Sequence, residues 1–320
     1  MRLERGVSVV VPVYGSVGSL TPLCDRLDTS LRGRLFEIVL VDDGSGPTTW
    51  AKVRELAERP EVRGIRLSRN SGQHAALLAG IRAARFDTVV TLDDDLQNPP
   101  EEVPRLLDVL DERKDVDLVY GWSGNRSHRW WRRAGSTVLR RAVLRHLGAQ
   151  GTDRIGSFRA FRTRLRDGFS ESVGPGVSID ALLSWSTTRA TSVEVDHHDR
   201  SDGRSGYSLR TLRRFALDVI TGYSTVPLRM VTRLGVLSAL FGLGVLVYVV
   251  GRYLAGGTTV AGFPFLASII ALFSGAQMLS LGIIGEYLGR THVRVMGRPA
   301  YVVAESVGDP GSAADGSPLA

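Results

Sequence analysis

The chain has 320 residues, of which 43% are hydrophobic and 23% are charged. These proportions are typical of a globular protein with one or two domains, and they exclude a mostly disordered chain. A single cysteine, Cys24, excludes a disulfide framework and a cysteine-based zinc site. The formal net charge of +7 indicates an anionic partner, which could be nucleic acid, a phosphorylated ligand or a membrane surface.

Strand signals alternate with helix signals through the first part of the chain. Continuous β-branched runs predict strands buried on both faces, and the segments between them predict helices. The predicted strands cover 7–14, 36–43, 62–69, 87–95 and 117–122, with helices at about 18–32, 47–58 and 72–85 and a fourth that begins within 98–114. This alternation predicts an α/β fold with a mostly parallel sheet, which binds ligands at the carboxyl ends of its strands.

Two long apolar runs near the end of the sequence predict a transmembrane hairpin. No charged residue occurs within 234–251 or within 253–285, and only Arg252 separates the two runs. A bilayer core requires about 20 apolar residues in a helix. Two buried core helices are the alternative, but neither run contains a polar stripe. Arginines flank the outer ends of both runs, so the positive-inside rule predicts that both termini lie in the cytoplasm.

Acidic turns follow two of the predicted strands. Asp42 and Asp43 end the second strand, and Asp93, Asp94 and Asp95 end the fourth. Three adjacent carboxylates repel one another unless solvent or a cation neutralises them. Mg²⁺ and Mn²⁺ prefer oxygen ligands and commonly bridge to substrate phosphates. A solvated helix-capping turn is the alternative, and the second acidic turn favours the metal site over it.

Four strings carry a family resemblance: VSVVVPVY, IVLVDDGS, NSGQHAALLAG and TLDDDLQNPPEE, in this order. They resemble family 2 glycosyltransferases with the GT-A fold. More narrowly, they are similar to the polyprenyl-phosphate glycosyltransferases, which include dolichol-phosphate mannose synthase and bacterial undecaprenyl-phosphate sugar transferases. The later string HHDRSDGRSGYSLRTLRRFALDVITGYSTVPLR supports the same resemblance, which extends from Val7 to about Arg298. One departure lies at Gly15 and Ser16, where the family usually continues PVYNE.

The resemblance implies a Rossmann-like GT-A cytosolic domain with a C-terminal two-helix transmembrane hairpin. The expected divisions are a catalytic domain over 1–210, an amphipathic juxtamembrane segment over 211–232, transmembrane helices over 233–254 and 263–285, a cytosolic juxtamembrane segment over 286–303 and a disordered tail over 304–320. Residues 126–145 contain seven arginines and paired tryptophans, which suits a helix in the lipid headgroup layer better than a nucleic-acid site. We therefore expect an integral protein of the cytoplasmic membrane.

The donor site implied by the resemblance includes the predicted strand ends. The residues expected to contact the nucleotide or donor sugar are Pro12, Tyr14, Asp42, Ser68, Gln73, Asp93 and Asp94. Asp94 stands where relatives often have Ala and is expected to be spare, while Gln73 could instead cap a helix. Asp95 and Gln97 are expected to hold a divalent metal, Mg²⁺ or Mn²⁺, against the diphosphate.

The acceptor site and the catalytic groups follow from later segments. The residues expected to bind the acceptor phosphate are Arg159, Arg200, Arg204, Ser205 and Tyr207, and the catalytic groups are Asp153, Asp95, Arg200 and Arg204. Arg159 could instead form a salt bridge within its own turn. Asp180 is an alternative to Asp153, and a third alternative is that no base is needed, because a phosphate acceptor is largely ionised at cytosolic pH.

The reaction implied is the inverting transfer of a hexose from a nucleotide-diphosphate sugar to an undecaprenyl or decaprenyl phosphate. A UDP-sugar is the favoured donor and GDP-mannose is next. The expected partners are the donor, the polyprenyl phosphate, membrane lipids and further copies of the chain in a homo-tetramer, without nucleic acid. The alternatives are a non-catalytic membrane scaffold that retains the GT-A fold, or a glycosyltransferase with another acceptor.

Overall fold

The computed structural model describes residues 4–122, 156–169, 174, 178–196, 226–255 and 263–308. The chain divides into two units, one formed by residues 1–205 with 297–320 and the other by residues 206–296. The first is an α/β unit, and the described part of the second consists of two long helices.

The described part of the α/β unit contains one sheet of eight strands. The strands are β1 (Glu4–Val13), β2 (Phe36–Asp42), β3 (Val62–Leu67), β4 (Phe86–Thr91), β5 (Leu118–Trp122), β6 (Arg159–Arg162), β7 (Ala190–Glu194) and β8 (Val303–Val307). Their order across the sheet is β7-β5-β6-β4-β1-β2-β3-β8. β1 runs parallel to both β2 and β4, and β2 runs parallel to β3. The predicted mostly parallel α/β sheet is therefore confirmed, with β6 and β8 as antiparallel strands that the sequence did not predict.

Helices cover both faces of this sheet, as its continuous apolar strands require. The helices are α1 (Val17–Ser30), α2 (Pro47–Leu56), α3 (Gln73–Ala83), α4 (Val103–Glu112), α5 (Ile179–Ser186), α6 (Val226–Leu254) and α7 (Phe263–Val295). One core packs α1, α2 and α4 on the face that contains Val9 and Val11, and the other packs α3 and α5 on the face that contains Val10. All three valines are fully buried, because successive β1 side chains enter opposite cores.

The last described strand corrects the expected disordered tail over 304–320. β8 pairs antiparallel with β3, with Glu305 opposite Arg66 and Val307 opposite Gly64. The Trp50 Nε1–H also donates to the Glu305 carboxylate at 2.8 Å. An unpaired sheet edge exposes backbone hydrogen-bonding groups, and β8 satisfies those of β3. The expected tail is therefore wrong for 304–307, and 309–320 lies outside the described residues.

The second unit contains α6 and α7, which are 29 and 33 residues long. They cover the predicted spans 233–254 and 263–285, and α7 continues into the predicted juxtamembrane segment. Within the described part of the chain, no helix is both long enough and apolar enough to cross a membrane. The hairpin therefore stays a prediction, and residues 211–225 of the other juxtamembrane segment lie outside the described part.

Candidate active site

The loops that follow β1, β2 and β4 meet at the carboxyl edge of the sheet. The Tyr14 backbone N–H donates to the Asp94 carboxylate at 3.4 Å. The Gly15 backbone N–H donates to the Ser45 hydroxyl at 3.1 Å. These two bonds connect the first loop to the other two, as convergence of parallel strand ends predicts. Tyr14 is 61% exposed at this edge, whereas Pro12 is buried within β1.

Asp42 is fully buried at the end of β2 and has an incomplete set of hydrogen bonds. Its Oδ1 accepts the Ser45 backbone N–H at 3.0 Å, while its Oδ2 has no hydrogen-bond partner. The Arg66 Nε lies 3.6 Å from that Oδ2, which is an ion-pair distance and too long for a good hydrogen bond. Leaving a buried acceptor unsatisfied costs roughly 1–3 kcal/mol. A ligand N–H placed at Oδ2 would remove that cost, so Asp42 is suited to accept a hydrogen bond from a ligand.

Asp43 holds the loop after β3 against the loop after β2. Its two carboxylate oxygens accept the Ser71 and Gly72 backbone N–H groups at 2.7 and 2.8 Å. Burial raises the pKa of Asp43, and these two hydrogen bonds oppose the rise. The next residue, Gly44, has a φ of 67°, and an added Cβ would lie 2.4 Å from the Arg69 carbonyl carbon. Only glycine fits there. No individual role was predicted for Asp43, although its position beside a Gly-Ser turn was a usable signal.

Asp93 accepts hydrogen bonds from two other segments. The Gln73 side-chain amide donates to its Oδ1 at 2.6 Å, and the Ser157 hydroxyl donates to its Oδ2 at 2.6 Å. Burial raises the pKa of Asp93, the Ser157 bond lowers it, and the Asp95 charge raises it further. Gln73 is not a helix cap, because Gly72 occupies the cap position of α3. Gln73 instead fixes Asp93, and Ser157 is a contributor that the sequence analysis missed.

Asp94 is not spare, because it organises the β1 loop. Burial raises its pKa to about 6, and hydrogen bonds from the Ser16 side chain and the Tyr14 backbone oppose the rise. Leu96 follows with a φ of 58°, the one left-handed conformation outside glycine among the described residues. Such backbone costs about 1–3 kcal/mol and clusters at functional sites. The Leu96 side chain packs against the core, which holds the turn in place between Asp95 and Gln97.

The donor atoms of this turn suit a hard divalent cation. Carboxylate and amide oxygens are its preferred ligands, and Mg²⁺ usually takes only one or two protein carboxylates together with substrate phosphates. Asp95 and Gln97 supply these groups, and the Asp95 carboxylate also accepts the Gln97 backbone N–H at 3.2 Å. No set of three His, Cys, Asp or Glu side chains converges as a metal site within the described ranges. Asp95 and Gln97 therefore offer donor atoms that fit a divalent cation.

A buried ion pair lies next to the acidic turn. Arg159 is 1% exposed, and its guanidinium donates to the Thr91 hydroxyl at 3.0 Å and to the Asp180 carboxylate. The Tyr120 hydroxyl donates to the same carboxylate at 3.4 Å. Burial and the Asp180 charge raise the pKa of Tyr120, so this hydroxyl stays protonated. Arg159 is therefore paired with Asp180 of another element and not within its own turn, and its expected phosphate contact stays a prediction.

His74 lies beside the Arg159–Asp180 ion pair and was not among the predicted site residues. Its Nδ1 accepts the Ile179 backbone N–H at the start of α5, at 3.4 Å. Burial lowers the pKa of His74, and the nearby Arg159 charge lowers it further. A neutral imidazole is required for Nδ1 to accept this hydrogen bond. His74 therefore joins α3 to the helix that carries Asp180.

Of the remaining predicted site residues, Ser68 alone lies in the described part of the chain. Ser68 is exposed at the end of β3, where its backbone N–H donates to the Val302 carbonyl at 2.9 Å. The other predicted residues lie outside the described part of the chain: Asp153, Arg200, Arg204, Ser205 and Tyr207. The basic segment 126–145 does so as well.

Comparison of the sequence with known protein families agrees with the α/β sheet and its acidic strand ends. Residues 8–169 match the profile of Glycosyl transferase family 2, and the chain belongs to this family of enzymes. The chain is also 36% identical over 311 residues to the undecaprenyl-phosphate 4-deoxy-4-formamido-L-arabinose transferase of Serratia proteamaculans (strain 568). That alignment covers 95% of each chain.

Solved structures share the fold of the α/β unit. Glucosyl-3-phosphoglycerate synthase from Mycobacterium tuberculosis with Mg²⁺ and UDP is 21% identical, with a TM-score of 0.52 over 68% of this chain and 77% of that one. The same enzyme with Mn²⁺ and UDP-glucose is 20% identical, with a TM-score of 0.51 and the same coverage. At these identities the similarity shows a common GT-A-like fold.

Proposed function

We propose that this glycosyltransferase moves a sugar from a nucleoside-diphosphate donor to the phosphate of a membrane polyprenol. The observation that carries the proposal is the 36% identity to a named undecaprenyl-phosphate transferase over 95% of both chains. The solved structures cover only 68% of this chain. The sequence match to the undecaprenyl-phosphate transferase therefore includes a part of the chain that the solved structures do not cover.

The geometry of Asp42 supports a nucleotide donor. Uracil and guanine both present a ring N–H that a carboxylate oxygen can accept, and the Asp42 Oδ2 lacks a hydrogen-bond partner. We favour UDP-sugars over GDP-mannose, because solved structures with a similar fold contain UDP or UDP-glucose. The sugar named in the relative is 4-deoxy-4-formamido-L-arabinose, which makes aminoarabinose derivatives candidates alongside glucose and N-acetylglucosamine.

The acidic turn would hold the diphosphate end of the donor. Asp95 and Gln97 would bind a divalent cation, which supplies positive charge to the departing diphosphate. Asp93 lies beside them, and Gln73 and Ser157 fix its two oxygens. Asp94 keeps the β1 loop, and with it Tyr14, at the edge of this site.

The transfer itself requires little proton chemistry from the protein. An oxygen of the acceptor phosphate attacks the anomeric carbon in line, the bond from that carbon to the donor diphosphate breaks, and the configuration inverts. The second pKa of a phosphate monoester is near 6, so the attacking oxygen is already ionised at neutral pH. Asp180 is engaged by Arg159 and Tyr120, which suits a structural role. We therefore expect the loss of Asp153 to reduce transfer less than the loss of Asp95.

We also propose that α6 and α7 place the catalytic unit at the cytoplasmic membrane. Helices of 29 and 33 residues are about 43 and 50 Å long, which exceeds the roughly 30 Å of a bilayer core. Large apolar side chains on both helices are more than half exposed, among them Leu237, Phe241, Met278 and Leu288. The membrane part of the proposal is tested separately, by recovering the full chain from cell membranes before and after alkaline carbonate washing.

A transfer assay on detergent-purified full-length protein tests the reaction. It supplies undecaprenyl phosphate with labelled UDP-sugars and GDP-mannose, with Mn²⁺ or with chelator. The Asp95→Ala variant is compared with Asp108→Ala, which removes an exposed α4 carboxylate that forms an ion pair with Arg34. Label in the lipid fraction that requires metal and is lost only in Asp95→Ala is the expected result. Donor hydrolysis without labelled lipid would indicate another acceptor, and the absence of binding and turnover would favour a scaffold.

A further inference from the structure

Three charged side chains form one row across the edge of the sheet, ending at the proposed nucleotide site. Asp42 on β2 is the register partner of Arg66 on β3, and Arg66 is the register partner of Glu305 on β8. Directly paired residues on neighbouring strands project from the same face of a sheet. The row therefore places a negative, a positive and a negative side chain on the face that packs against α2.

Trp50 of α2 contacts two members of this row, Glu305 and Arg66. Its indole N–H donates to the Glu305 carboxylate at 2.8 Å, and the Arg66 guanidinium lies over its ring at 5.8 Å. Trp50 is buried, and its indole lies beside Gly64, 3.4 Å from where an added Cβ would be. A buried, hydrogen-bonded indole is a rigid platform for a guanidinium. The strand after α7 thereby fixes the orientation of Trp50, and Trp50 fixes Arg66.

Arg66 in turn faces the one oxygen of Asp42 that lacks a hydrogen-bond partner. The Arg66 Nε lies 3.6 Å from Oδ2, and the Arg66 side chain is 31% exposed. At this distance the guanidinium balances part of the carboxylate charge without occupying the acceptor position. A ligand N–H brought to Oδ2 would find it without a hydrogen-bond partner, and the nearby positive charge keeps the carboxylate in its orientation.

We propose that Glu305, Trp50 and Arg66 are positioning residues that hold Asp42 in place for recognition of the donor nucleobase. The inference rests on the proposed function, since it assumes a nucleotide donor with its base at Asp42. It extends the donor site to a strand that lies more than 250 positions from Asp42 in sequence. In consequence, the segment that follows the long C-terminal helix contributes to donor affinity without contacting the donor.

The test measures binding by calorimetry on the full chain in detergent with Mn²⁺. Two probes are used: UDP or GDP, whichever the wild type binds more tightly, and inorganic pyrophosphate, which has no base. The variants are Arg66→Met, Trp50→Phe, which keeps a ring but loses the N–H, and Glu305→Ala. The conservative Glu305→Gln keeps a hydrogen-bond acceptor. Ser306→Ala is the matched control, because it is the next residue on β8 and is opposite Ile65.

Arg66→Met is expected to weaken nucleotide binding about tenfold, and Trp50→Phe and Glu305→Ala about threefold. Glu305→Gln should recover most of the loss, Ser306→Ala should match the wild type, and pyrophosphate affinity should stay constant throughout. If all variants keep wild-type nucleotide affinity, or if nucleotide and pyrophosphate affinities fall together, the positioning role is refuted while the proposed donor class stands. If the wild type binds neither UDP nor GDP, the proposed function fails first.

Discussion

Removal of the Asp180 carboxylate tests whether that residue is structural or catalytic. In Asp180→Ala, the guanidinium of Arg159 keeps its bond to Thr91 but loses its counter-charge, and the Tyr120 hydroxyl loses its acceptor. Arg159 is 1% exposed, so water cannot take the place of the carboxylate around most of the guanidinium. The variant therefore leaves a buried guanidinium without the carboxylate that is bonded to it.

The size of the effect follows from the burial of each partner. Removing one partner of a fully buried ion pair lowers the free energy of unfolding by about 3–5 kcal/mol. The Asp180 side chain is 26% exposed, so its end of the pair is partly hydrated, and we reduce the expected cost to about 2–3 kcal/mol. With about 2–4 °C lost per kcal/mol in a unit of this size, the melting temperature should fall by about 4–12 °C.

Thermal unfolding of the full chain in detergent, followed by intrinsic fluorescence, measures this shift. Glu194→Ala, at an exposed carboxylate on β7, is the control and should melt with the wild type. The double variant Arg159→Met/Asp180→Leu removes both charges together and should recover most of the lost stability. A wild-type melting temperature for Asp180→Ala combined with complete loss of transfer would refute this reasoning and identify Asp180 as the acceptor-side acid.

Two further predictions concern the core of the α/β unit. Burial raises the pKa of the Cys24 thiol to about 11, so roughly one molecule in a thousand carries the thiolate at pH 8. A thiol reagent should therefore label one group per chain only after the protein has been unfolded. Rapid labelling of the native protein would contradict the packing around α1. Gly80→Ala should lower the melting temperature although alanine favours helices by about 1 kcal/mol, because its Cβ would lie 2.3 Å from the Val10 Cγ1 and overpacking costs about 1–3 kcal/mol. Gly18→Ala in α1 has open space around the added Cβ and should leave the melting temperature unchanged or slightly raised; equal losses in both variants would point to a cause other than crowding.

Strands β1 to β5 were predictable because each is a short run rich in apolar and β-branched residues, and helix signals separate them. β6 and β8 were not predictable in this way. They have four and five residues, and each pairs antiparallel with a strand from a distant part of the sequence. The composition of the C-terminal tail also concealed β8, because Gly, Ser, Pro and Asp follow it directly. Short strands are stabilised mainly by the sheet edge with which they pair, and the local sequence does not indicate which edge that is.

The sequence by itself determined the class of the protein and the acidic edge of its site. Asp42 and the three carboxylates from Asp93 to Asp95 end predicted parallel strands, and the ends of such strands must meet at one edge. Only the tertiary structure decided that Arg159 is buried against Asp180, and that Glu305 lies beside Arg66. These contacts depend on the register and packing of segments far apart in the chain, which local patterns of hydrophobicity and charge do not encode.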